Sequence, residues 1–184
     1  MDRTVLSTFQ RQVADQAALG LRGLAIMHAG LTELDAAWDG IPDRSALEAA
    51  GNEVWAGVQI FVTASGNVSK ALWGSGGERA GRRADLRSSL GVLDESPLRG
   101  FTFRNHFEHF DERIDRWASA SDRRVLLDRH IGPADSVSGP EGRERLRVLD
   151  PEAGILYFWG DQFDIAPIAD ELTRLLGRAG AAAD

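Results

Sequence analysis

Two long stripes of apolar residues, at alternating spacings of three and four, cover most of the first 73 residues. The first stripe comprises Val5, Phe9, Val13, Ala17, Leu21, Leu24, Met27 and Leu31, and the second comprises Leu47, Ala50, Val54, Gly57, Phe61, Ala64, Val68 and Ala71. This spacing is typical of the buried face of an amphipathic helix. We therefore predict helices over residues 4–36 and 44–73, joined by a short loop into an antiparallel hairpin.

A shorter stripe of aromatic residues predicts a further helix in the middle of the chain. Ser96-Pro97 resembles a helix start, with a capping residue followed by proline in the first turn, and the pattern continues to Ala120. The stripe that we expect to be buried comprises Phe103, Phe107, Phe110, Ile114 and Trp117. Between the hairpin and this helix we predict a short, arginine-rich helix over residues 78–90 with a solvated face.

The pattern changes after Asp122, where short apolar runs alternate with polar loops. Residues 125–127 are a short strand candidate, and residues 145–149 and 155–159 predict a β-hairpin around a glycine-containing turn. A last helix is expected from Asp164 to about Leu176. The aromatic run Tyr157-Phe158-Trp159 is interpreted as a buried strand, with a stacking platform for bases as the alternative.

These elements predict a mainly α fold with a small β component. We expect a helical bundle made of the long antiparallel hairpin and the helix 96–120, followed by a small antiparallel β-hairpin and a last helix. The predicted division places the bundle in residues 1–122 and the β-hairpin with its helix in residues 123–184, packed together as one unit.

Composition and charge narrow the classes of partner. The chain has 184 residues with 21 Lys and Arg against 28 Asp and Glu, a formal charge of −7, which disfavours extended duplex DNA as a partner. The lack of cysteine excludes disulfides, Fe–S clusters and cysteine-based zinc sites. Because the N-terminus has no signal-like apolar region and Arg22 and His28 interrupt the stretch 17–31, we expect a cytoplasmic protein without a membrane partner.

The segment Arg104–Arg113 carries the most distinctive chemistry in the sequence, since it places two of the four histidines within four residues. On a helix, Asn105, His109, Glu112 and Arg116 share a polar face that is separate from the aromatic stripe. Imidazole and carboxylate also suit a metal ion, and His106, His109 and Glu112 are the candidate ligands. Because a single helix supplies two such ligands more easily than three, metal binding remains an alternative and we assign no metal ligand.

Arg104, Asn105 and His109 resemble the R-x(4–6)-H signature of the HEPN superfamily, in which a polar residue often follows the arginine. The resemblance covers about residues 4–120. It implies a dimer that cleaves RNA without a metal or another cofactor. His109 would transfer a proton at the ribose 2′-hydroxyl, Arg104 would hold the phosphate and Asn105 would orient the reacting groups, with His106 and Glu108 as secondary candidates.

The resemblance leaves the enzymatic activity open. Some HEPN proteins cleave RNA in toxin–antitoxin or defence systems, so RNA, a second copy of the chain and an antitoxin-like protein are the expected partners. Other members are non-catalytic binding or assembly modules, which is the first alternative; a metal-binding helical bundle is the second. Four acidic residues oppose phosphate binding on the same helix unless arginines neutralise them, namely Glu108, Asp111, Glu112 and Asp115.

Overall fold

A computed structural model describes residues 1–39, 41, 43–74, 77–101 and 103–181. These residues form seven α-helices, one short 3-10 helix and four β-strands, which confirms the predicted mainly α fold. The chain divides into two compact units, one made of Met1–Phe101 with Ile168–Asp184 and the other of Thr102–Pro167. This grouping differs from the predicted division at residue 122.

The first unit contains the predicted helical hairpin, formed by α1 (Arg3–Trp38) and α2 (Arg44–Trp73). Asp2 and Asp43 cap the two helices, because each carboxylate accepts hydrogen bonds from backbone N–H groups in the first turn. The helices run in opposite directions, since Gly20 approaches Ala64 whereas Gly30 approaches Ala50. The predicted loop between them includes Gly40 and Pro42, which lie outside the described residues.

The predicted helix over 78–90 is interrupted, and forms α3 (Glu78–Arg82) and α4 (Ala84–Ser89). Arg87 in this segment does not belong to a solvated face, because its guanidinium donates to the carbonyl oxygens of Leu72 and Ala80 at 2.9 and 2.8 Å. Ser75 and Gly76, in the glycine-rich segment that precedes α3, lie outside the described residues.

The last helix, α7 (Ile165–Ala181), is longer than predicted, and most of it belongs to the first unit. The Ser96 hydroxyl donates to Glu171 on this helix at 2.8 Å, and Arg174 bonds the same carboxylate. Burial alone would raise the pKa of Glu171, but the hydrogen bonds from Arg174 and Ser96, with the charges of Arg174 and Arg178, lower it. Because the Ser96 hydroxyl is bonded to Glu171, Ser96 does not begin a helix as predicted. Residues 97–100 form a turn instead.

The second unit begins with the helix that was predicted to start at Ser96. It is split into α5 (Arg104–Glu108) and α6 (Phe110–Ala120), with His109 between them at φ −111° and ψ 36°. Of the aromatic stripe, Phe103 is buried, but the other four residues are only half-buried, contrary to the prediction. Phe107 packs on Phe158 of the sheet at a ring distance of 4.8 Å, which explains why this segment groups with the strands.

The sheet has the strand order β1 (His130–Ile131), β2 (Arg147–Asp150), β3 (Ile155–Phe158) and β4 (Asp161–Asp164). The hairpin of β2 and β3 was predicted, whereas β1, which pairs parallel to β2, and β4, which pairs antiparallel to β3, were missed. β1 is too short to show a pattern and β4 is mostly polar. The predicted strand over 125–127 is reduced to a single bridge between Leu127 and Arg145.

Candidate functional site

Arg104, the first residue of α5, is buried and forms an ion pair with Glu108 one turn later. Nε of Arg104 lies 3.0 Å from Oε1 of Glu108, and Nη2 lies 3.0 Å from Oε2. The arginine side chain is 8% exposed and the glutamate side chain 48% exposed. This two-point, charge-assisted pairing is the arrangement by which a guanidinium would also hold a phosphate. Glu108 therefore occupies the Nε and Nη2 side of the guanidinium.

His109 has different surroundings, because it lies at the break between α5 and α6 with 53% of its side chain exposed. Its Nδ1 lies 3.2 Å from Oε1 of Glu112. A carboxylate at neutral pH only accepts hydrogen bonds, so Nδ1 carries the proton in the neutral ring and Nε2 is the acceptor. Among the described residues Nε2 has no partner. The pair can therefore accept a proton from a ligand at Nε2.

The polar face predicted from the sequence is exposed, and it comprises Asn105, His109, Glu112 and Arg116. Within the described ranges, no hydrogen bond or ion pair joins His109 to Arg104, and the two side chains differ in both burial and partner. The structure thus pairs Arg104 and His109 with different carboxylates, those of Glu108 and Glu112. It does not bring the guanidinium and the imidazole together in one cleft of the single chain.

His106 is buried and bridges α5 to the sheet. Its Nε2 lies 3.1 Å from Oδ2 of Asp161 on β4, and its ring stacks on Phe158 at 5.1 Å. Burial is the main cause that lowers the pKa of His106, the charge of Arg113 adds to it, and Asp161 opposes both. The folded chain therefore favours the neutral form of this ring more than water does. Asp161 was not among the predicted site residues, because the polar strand β4 shows no recognisable pattern in the sequence.

The lowered pKa of the buried His106 ring implies that the stability of the fold depends on pH in a specific way. A histidine with a pKa below its ordinary value of 6.5 binds fewer protons in the folded than in the unfolded state, so stability is lost as pH falls below about 6.5. We expect the free energy of unfolding, measured by denaturant titration between pH 7.5 and 5.5, to fall less in His106→Phe than in the parent protein. Asp161→Asn, which removes the interaction that raises this pKa, should make the fall larger.

The candidate metal ligands His106, His109 and Glu112 do not form one cluster. His106 faces Asp161, whereas His109 pairs with Glu112. Within the portion of the chain that the structure describes, no three His, Asp or Glu side chains form a group that could hold a metal ion. None of the described helices combines the length and apolar character needed to cross a membrane.

Comparison with known proteins adds no relative. No model of a known protein family matches the sequence, and searches among curated proteins and among solved structures give no match either. The HEPN resemblance therefore rests on the motif residues and their helical context alone.

Proposed function

We propose that this chain is a HEPN-like helical module that binds single-stranded RNA without cleaving it. The observation that supports this proposal is the two-point pairing of buried Arg104 with Glu108. A guanidinium in this position would need to exchange one anionic partner for another before it could hold a phosphate. In the proposed module Arg104 is structural, and it fixes the short helix α5 that carries the exposed residues.

The exposed face offers the groups that an RNA strand requires. Asn105 can donate and accept hydrogen bonds, and His109 presents Nε2 as an acceptor for a ribose hydroxyl. Arg116, one turn after Glu112, has no carboxylate within ion-pair distance among the described residues, so its charge is available to a phosphate. The acidic residues of α6 restrict contact to a short strand, in agreement with the negative charge of the whole chain.

The proposal predicts a defined complex without turnover. A labelled single-stranded RNA should bind the full chain in a titration monitored by fluorescence anisotropy, and the RNA should remain intact after prolonged incubation. Asn105→Ala and His109→Ala should each weaken binding by roughly 3- to 10-fold, the loss of one hydrogen bond. Glu33→Gln on α1 serves as the control, since it is remote in sequence and lies in the other unit. RNA that fails to bind at all excludes this function.

A second candidate function, metal-independent ribonuclease, is favoured by the pairing of His109 with Glu112. In that reaction Nε2 of His109 removes the proton of a ribose 2′-hydroxyl, and the 2′-oxygen attacks the adjacent phosphorus. The bond from phosphorus to the 5′-oxygen breaks, the 5′-oxygen takes up a proton from solvent, and a 2′,3′-cyclic phosphate remains. Glu112 would hold the ring in the required tautomer. The candidate also requires that Glu108 release Arg104, or that a second copy of the chain supply another guanidinium, which is the reason for the expected homodimer.

A cleavage assay on the same purified protein distinguishes the ribonuclease from the RNA-binding module. A ribonuclease of this type cleaves RNA in the presence of a chelator and loses cleavage in both Arg104→Ala and His109→Ala, with folding of each variant verified by circular dichroism. Chelator-resistant cleavage that is lost in His109→Ala would replace the binding proposal with the ribonuclease. A cytoplasmic toxin or defence role, with an antitoxin-like partner, is part of the ribonuclease candidate only.

A further inference from the structure

A cavity of about 410 Å³ lies in the second unit, between the end of α6 and the short helix at residues 142–144. Arg116, Trp117 and Ser121 form one wall, and Arg143 and Trp159 contribute to the other. Its volume lies in the range of small-molecule sites, roughly 300–1,000 Å³. None of the HEPN-like motif residues lines it.

Two indole rings in the cavity wall are held in fixed positions. Nε1 of Trp117 donates to the carbonyl oxygen of Val125 at 3.1 Å, which orients that ring. Trp159 is 6% exposed and occupies the turn between β3 and β4, where its φ is +57° and that of Gly160 is +87°. Turns with two positive φ values favour Asn-Gly, so a bulky residue at this position is strained. Strain of this kind is often found at ligand sites.

The charged groups around the indoles are three arginines and three acids, and two of the arginines are placed to bind an anion. Glu141 and Glu144 both lie near the guanidinium of Arg123, at 3.8 and 3.6 Å. By contrast, Arg116 and Arg143 have no carboxylate within 4.0 Å among the described residues. Asp122 is a further acid in the wall. In a chain with a formal charge of −7, two guanidinium groups without an acidic partner at one cavity are an unexpected feature.

Two buried nitrogen atoms near the cavity also suit an anionic ligand. Nε1 of Trp159 and Nε of Arg113 are buried, and neither has a hydrogen-bond partner in the described part of the chain. The guanidinium of Arg113 lies 6.0 Å from the centre of the Trp159 ring. This placement adds positive charge close to one of the two indoles that line the cavity.

We propose that this cavity binds one nucleotide, with its base against the indoles of Trp117 and Trp159 and its phosphate between Arg116 and Arg143. Stacking on an aromatic side chain accommodates any base, and a guanidinium bonds two phosphate oxygens at once. The nucleotide is either a free mononucleotide or one residue of an RNA strand, since both present the same base and phosphate. The inference uses none of Arg104, Asn105 and His109. It shares Arg116 with the exposed face proposed to bind RNA, and it goes beyond that function by assigning a base-binding cavity.

The test is isothermal titration of the full chain with adenosine monophosphate, adenosine, inorganic phosphate and a single-stranded adenosine hexanucleotide. We expect one mononucleotide per chain, and adenosine and phosphate should each bind at least about tenfold more weakly because each lacks half of the contacts. A hexanucleotide that binds at least about tenfold more tightly than the mononucleotide, and that loses this advantage in Arg143→Gln, assigns the cavity to a strand. Equal affinities assign it to a free nucleotide.

Matched variants locate the binding. Arg143→Gln and Arg116→Gln should each weaken mononucleotide binding about tenfold while leaving adenosine binding unchanged. Arg82→Gln is the control, because that side chain is 75% exposed and lies in the other unit. The proposal is overturned if neither nucleotide ligand binds at millimolar concentration, or if Arg143→Gln and Arg116→Gln bind as the parent does. Mononucleotide binding that is unchanged in His109→Ala, with hexanucleotide binding weakened, shows that the cavity binds its ligand without His109.

Discussion

Gly57→Ala is expected to destabilise the helical hairpin by about 3 kcal/mol or more, because the added methyl group meets backbone rather than side chains. A Cβ at Gly57 would lie 2.6 Å from the carbonyl oxygen of Gly23 and 2.8 Å from Cα of Met27, and it would also contact the amide nitrogen of Met27. Flexible side chains can move away from a new methyl group, but two helix backbones in contact must separate. Separation would also disturb the apolar residues buried between α1 and α2.

Gly51→Ala provides the matched control on the same helix. A Cβ at Gly51 meets nothing within 4 Å, so only the change in backbone entropy remains. We expect this variant to be more stable than the parent by about 0.5–1 kcal/mol. The measurement is guanidinium chloride unfolding followed by the helical circular dichroism signal. Similar stabilities for the two variants would show that α1 and α2 do not approach as closely at Gly57 as the structure places them.

The hairpin also shows what the sequence could predict. The stripe of α2 is buried from Ala50 to Ala71, and that of α1 is buried only in its middle, at Val13, Ala17, Leu24 and Met27. Val5 at the start of α1 is 43% exposed, contrary to the prediction. Helical spacing finds most of the buried face because burial of apolar area is the largest stabilising contribution for long helices. The close contact between Gly23 and Gly57 was less evident from the sequence. A glycine in a predicted helix indicates either a less stable helix or close packing against a neighbouring helix. Which of these two explanations applies depends on the helix that packs against the glycine, and that helix is distant in sequence.

The start of α5 illustrates a competing signal. Ser96-Pro97 has the residue types of a helix start, but the Ser96 hydroxyl bonds Glu171 on α7, which is 75 residues away. A hydrogen bond to a partner that distant in sequence is not visible in a local pattern. For the same reason β4 and the contact between His106 and Asp161 could not be predicted, because a polar strand is recognisable only by the strand it pairs with.

The candidate site was predicted in part. Helical spacing correctly placed His109, Glu112 and Arg116 on one exposed face. Spacing does not determine which charged neighbour a long side chain pairs with, and Arg104 has Glu108 within reach on its own helix. Its burial with Glu108 is the feature that most changes the functional hypothesis, from cleavage towards binding.

That pair leads to the second large effect. Glu108→Gln removes a negative charge from a buried guanidinium, and we expect a loss of about 2–3 kcal/mol in the free energy of unfolding. This is below the loss of about 3–5 kcal/mol for fully buried pairs, because half of the Glu108 side chain is in water. Arg104→Met should cost about 1 kcal/mol or less, since it leaves a carboxylate that can hydrate and an apolar chain in the buried position. The double variant should resemble Arg104→Met, which would demonstrate coupling between the two residues.

Glu112→Gln is the control for this comparison, because it removes the other carboxylate pair of the motif segment. Both members of the pair with His109 are more than half exposed, so the change should stay within about 0.5 kcal/mol. Chemical unfolding of the four variants at one pH gives the comparison directly. If Glu108→Gln costs no more than Glu112→Gln, Arg104 is not held in a structural pair. The guanidinium would then be available to a phosphate, and the ribonuclease would become the better supported of the two functions.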